Sequence, residues 1–136
     1  MFYDFAILIP AGQKENEPVE VDLELTKGII HRVEVEFYPG PRRYVFIRIL
    51  HGLHQVWPTN PEGTFCTDAY TIGFDEYYEL KAAPYKLRVI GYSPEADYPH
   101  VVTVRIGIIE SKVALMLLEA IKGMTKLLHF IGIKDV

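Results

Sequence analysis

The chain is poor in the residues that several chemistries and architectures require. It has one cysteine, Cys66, in 136 residues, so an intrachain disulfide is excluded, and with it a disulfide-stapled secreted scaffold. Cys66 is expected as a small buried apolar residue. Serine occurs only at positions 93 and 111, and neither lies in the G-x-S-x-G turn that presents a hydrolase nucleophile. No G-x-x-x-x-G-K-[ST] phosphate loop and no G-x-G-x-x-G fingerprint occurs. A basic excess is also missing: the formal net charge is −4, and Arg42-Arg43 is the one adjacent basic pair. Nucleic acid is therefore not an expected partner. No run of about 20 residues is both apolar and uncharged, which argues against an ordinary spanning helix. Met1-Phe2-Tyr3-Asp4 has no basic region ahead of an apolar one, so no signal peptide is expected. The expected location is cytoplasmic or on a virion or particle.

What is present is a globular composition. Apolar residues make up 49% and charged residues 24%, which suits a packed core rather than a disordered chain. Period-two alternation dominates to about residue 109. In Val19-Glu20-Val21-Asp22-Leu23-Glu24-Leu25 the aliphatics face one side and the carboxylates the other, as in a strand with one wet face. Residues 31–37 repeat the pattern, with Val33, Val35 and Phe37 opposite Arg32, Glu34 and Glu36. Residues 44–50 are apolar on both faces except for Arg48, which predicts a central strand. Residues 84–92 and 100–109 alternate as well, and weaker candidates are 3–9, 53–57 and 70–80. The separators, such as Pro39-Gly40-Pro41 and Ser93-Pro94-Glu95-Ala96-Asp97, carry turn chemistry. About eight short strands at this spacing predict a jelly-roll-like antiparallel β-sandwich over residues 1–110.

The pattern changes at Ser111, which is placed to act as an N-cap. Residues 112–131 read as a helix roughly 30 Å long. Lys112, Glu119, Lys122, Lys126 and His129 form one narrow polar stripe. The rest of the circumference is apolar: Val113, Leu115, Met116, Leu117, Leu118, Ile121, Met124, Leu127, Leu128, Phe130 and Ile131. Gly123 weakens the middle by about 1 kcal/mol relative to Ala. A helix packed on one side of its own domain needs an apolar arc of only about 100°. Something must cover the excess in residues 111–136. Three covers are open: a groove of the same sandwich, the same helix from other copies or a partner, and a membrane interface edged by Lys112, Lys122, Lys126 and Lys134.

Candidate chemistry is thin, and no catalytic residue, metal or cofactor is expected. His51-Gly52-Leu53-His54 is the one close histidine pair, and positions three apart on an extended strand face opposite sides. Glu95, Asp97 and His100 share one stretch, where acidic side chains more often make turns. Asp68, Asp75, Glu76 and Glu79 lack calcium-loop spacing and read as a solvated face. Among the aromatics, Trp57, Tyr77 and Tyr78 are candidates for stacking on a sugar.

Two runs carry a resemblance: Leu25-Thr26-Lys27-Gly28-Ile29-Ile30-His31-Arg32-Val33-Glu34-Val35 and His54-Gln55-Val56-Trp57-Pro58-Thr59-Asn60-Pro61. With Phe74-Asp75-Glu76-Tyr77-Tyr78-Glu79-Leu80, Pro84-Tyr85-Lys86-Leu87 and residues 98–105, they resemble small uncharacterised β-sandwich proteins of tailed-phage and related genomes. The likeness covers about residues 20–109 and leaves the helix outside. It implies an oligomeric virion or particle-surface module and supplies no catalytic residues.

The expected function is a non-enzymatic structural protein that forms a homo-oligomer. The assembly positions would be Val113, Leu115, Leu117, Leu118, Ile121, Met124, Leu127, Leu128 and Ile131. The alternatives are a carbohydrate-binding module, with Trp57, Tyr77 and Tyr78 on its glycan face, and a peripheral protein of the membrane surface.

Overall fold

The computed structural model describes residues 1–132. Eight antiparallel strands precede one helix: β1 (Phe2–Ile9), β2 (Val19–Glu24), β3 (Gly28–Phe37), β4 (Phe46–His51), β5 (His54–Trp57), β6 (Tyr70–Leu80), β7 (Lys86–Tyr92), β8 (His100–Ile109) and α1 (Ser111–Phe130). One sheet has the order β1-β8-β3-β6 and the other β2-β7-β4-β5. The pairs β1–β8, β2–β7, β3–β6 and β4–β5 are nested, so the chain is one long hairpin wrapped into two sheets. Every connection except the β4–β5 hairpin crosses between sheets. This is the eight-stranded jelly roll that the strand spacing predicts.

The alternation explains the layers. Val33, Val35 and Phe37 of β3 and Val102, Val104, Ile106 and Ile108 of β8 meet Leu23, Ile47, Ile49, Leu87 and Val89 of the other sheet in one buried cluster. β4 lies between β7 and β5, a central position as its two-faced apolar pattern predicts. The outer face of the first sheet is charged. Arg105 pairs with Asp4 at 3.2 Å and with Glu36, and Arg32 bridges Glu34 at 3.3 Å and Asp75 at 3.2 Å. These pairs are partly exposed and each contributes little alone, but they link all four strands across the sheet.

Strand directions divide the loops between two ends. Connections 25–27, 52–53 and 81–85 lie at the end from which α1 departs. Connections 10–18, 38–45, 58–69 and 93–99 lie at the other end.

Candidate functional site

The helix is rooted tightly. Ile108 donates its N–H to the Met1 carbonyl at 2.8 Å, and the Met1 amine donates to the Ile108 carbonyl at 2.7 Å. Gly28 passes so close that a Cβ there would sit 2.6 Å from the Ile109 carbonyl oxygen. Ser111 is not the cap. Glu110 holds the cap position in extended conformation, makes no side-chain cap hydrogen bond, and Ser111 is already helical. The strand runs into the helix so directly that one residue serves as the junction.

Beyond the root, α1 leaves the sandwich. Ala114 is its one buried residue, at 5% exposure. Eight of the nine apolar positions singled out from the sequence are between 44% and 64% exposed, and Leu128 is half-buried. The groove of the same sandwich is therefore overturned as the cover: the root holds Ala114 against the domain, and nothing of the domain reaches the later turns. No helix among the described residues is long and apolar enough to cross a membrane. Lys134 lies outside the described residues.

The three aromatic candidates do not form one platform. Trp57 is 2% exposed, donates its indole N–H to Glu76 at 2.9 Å, and packs edgewise on Tyr78 with ring centres 5.5 Å apart. The Tyr78 hydroxyl shares a 2.6 Å hydrogen bond with His51 Nδ1, and burial pushes the Tyr78 phenol up in pKa. Tyr77 points the other way and is exposed. A glycan face built on Trp57 and Tyr78 is thus corrected: β5 and β6 are edge strands of opposite sheets, and these rings close the seam between them.

Other candidates also separate. The turn at Gly52, with φ +63°, folds the chain so that His51 and His54 are cross-strand partners rather than residues of one extended strand. The first then turns to Tyr78, and the second is exposed. Asp68 accepts the Arg42 and Gly40 N–H groups at 3.1 and 2.8 Å, Asp75 pairs with Arg32, and Glu76 serves Trp57. The hydrogen bond from Arg42, then that from Gly40, holds the Asp68 carboxyl below its usual pKa. Among the described residues, no three His, Cys, Asp or Glu side chains gather in a metal-ligating group. Cys66 is half-buried, with the Arg43 guanidinium 3.9 Å from its sulfur, rather than fully enclosed.

The end opposite the helix gathers residues that the sequence leaves in separate turns. Tyr38, Tyr44, Tyr70 and Tyr98 are exposed on or beside its loops. A cleft of about 350 Å³ is lined by Arg42, Tyr44, Glu95, Asp97, Tyr98 and His100, with Gly40, Pro41 and Ala96. Glu95, Asp97 and His100 do share a site there, but with tyrosines and an arginine. The two tyrosines of this cleft lie in different turns, and only the nested topology brings those turns together. No protein-family model matches the chain, and no curated protein matches it.

Proposed function

We propose that the protein is a non-enzymatic structural component that self-assembles through α1, as part of a virion or particle surface. The observation that supports this reading is the exposure of the helix's apolar circumference. Ten large apolar side chains from Val113 to Ile131 stand exposed on α1 and its C-cap. Burying their remaining surface would contribute on the order of 10 kcal/mol per helix. Such a contiguous patch exceeds what monomers ordinarily leave in water. The cost of association is roughly 4–15 kcal/mol, so the burial is of the size needed to hold copies together. The particle setting rests on the resemblance carried by residues 20–109. Size-exclusion chromatography with light scattering, without detergent, tests the reading. An oligomer is expected, and a monomeric full-length chain would sink it.

A second reading, a carbohydrate-binding module, draws on the loop-end cleft rather than on Trp57. Tyr44 and Tyr98 offer rings, and Glu95, Asp97 and Arg42 offer acceptors and donors for sugar hydroxyls. A glycan array scores it: this reading expects a hit that Tyr98→Ala removes.

A further inference from the structure

The arrangement of the apolar positions on α1 says more than that the helix is sticky. Read in heptads, three adjacent rows are wholly apolar: Val113-Ala120-Leu127, Ala114-Ile121-Leu128 and Leu117-Met124-Ile131. The row of Leu117, Met124 and Ile131 lies between the other two. With one neighbour row it makes a seam spaced 4, 3, 4, 3, 4 (113, 117, 120, 124, 127, 131). With the other it makes a seam spaced 4, 3, 4, 3 (117, 121, 124, 128, 131), Ala114 of that row being held against the sandwich at the root. The charged residues and His129 fall on the two rows opposite, Lys112-Glu119-Lys126 and Leu115-Lys122-His129. A two-stranded coiled coil covers one seam, two rows in seven, and leaves the third row in water. A helix with two seams sharing a central row has one for each of two neighbours.

Charge weighs against an anionic lipid surface as the cover. Ten of the fourteen Lys and Arg and sixteen of the eighteen Asp and Glu precede residue 111, so the sandwich carries an excess of six negative charges. The helix itself carries three lysines against Glu119. An anionic membrane would repel the sandwich that the short junction at Glu110 holds beside the helix. A closed bundle buries the apolar rows and turns the lysine rows outward to water.

We infer that α1 assembles with copies of itself in a closed bundle of at least three helices, with Leu117, Met124 and Ile131 on its axis. The inference rests on the self-assembly reading and adds the number and the facing row. Analytical ultracentrifugation of the full chain, with Leu117→Lys, Met124→Lys and Leu115→Lys variants, tests it. Leu117 and Met124 are exposed on the single chain, so charging them leaves the sandwich folded, and circular dichroism checks that. The expected result is a discrete mass of three or more copies. Leu115→Lys, on an outward row, keeps that mass, whereas Leu117→Lys or Met124→Lys reduces it to one copy. A discrete dimer overturns the inference and leaves self-assembly standing. So does a larger assembly that Leu115→Lys breaks as readily as Leu117→Lys. A monomer overturns both, and a monomer that floats with phosphatidylserine liposomes assigns the helix to membranes instead.

Discussion

Two glycines on the same sheet show how local surroundings set the effect of one methyl group. At Gly28 a Cβ would meet the Ile109 carbonyl oxygen at 2.6 Å, a backbone atom held by the β3–β8 ladder. Gly28→Ala should therefore destabilise the sandwich by about 1–3 kcal/mol, as overpacking does, measured by chemical denaturation. At Gly73 the nearest atom is Arg32 Nη2 at 2.5 Å, the end of a flexible side chain. Gly73→Ala should cost under about 1 kcal/mol in the same assay, through a displaced surface ion pair. Trp57→Ala should cost about 3–5 kcal/mol, because it empties a buried site and strips the Glu76 carboxylate of a donor. Acid acts through two other carboxylates. Asp22 is held below its usual pKa by the hydrogen bond from Arg88 and then that from Lys86, and Asp68 by the turn N–H groups. Both have folded pKa values below the unfolded ones, so their contribution is complete above about pH 4 and falls away as pH drops through the lowered values. Thermal denaturation should show no loss from these two groups between pH 7 and 5, and a declining midpoint below pH 4. A decline already complete at pH 5 would contradict the assignment.

At the scale of elements, the strands and the helix stand on different footings. Each strand borrows stability from ladder partners and from a shared core, whereas α1 is fixed to the sandwich only at its root, by Ala114. Deleting residues 111–136 should leave a folded domain whose unfolding midpoint shifts by only a few degrees, with helical dichroism lost. Gly123 sits where an added Cβ meets nothing within 4 Å. Gly123→Ala should then stabilise the helix by up to about 1 kcal/mol through lower backbone entropy, seen as increased helicity in circular dichroism. The strand positions and the helix were legible because period two and period 3.6 are local properties. The cap was not: Ser111 has the right side chain, but the geometry of the strand end put Glu110 in the cap position.

For the whole molecule, the nested topology puts two dissimilar ends on one body. The helix leaves one end, and the tyrosine-lined cleft occupies the other. An assembly driven by apolar rows should keep its mass in 1 M sodium chloride, where the Debye length is about 3 Å. Light scattering at low and high salt checks this, and dissociation at high salt would point to charge attraction between the basic helix and an acidic sandwich. The alternation of hydrophobic and charged residues determined by itself that the chain forms eight strands in a sandwich and that a mostly apolar helix follows. These follow from side-chain periodicity, which needs no knowledge of distant contacts. Tertiary structure alone decided that the sandwich does not cover the helix, that Trp57 and Tyr78 seal a seam, and that Tyr44 and Tyr98 meet at one cleft. Each depends on which strands are neighbours across a long separation in the chain, and strand pairing is a property of the fold, not of any one segment.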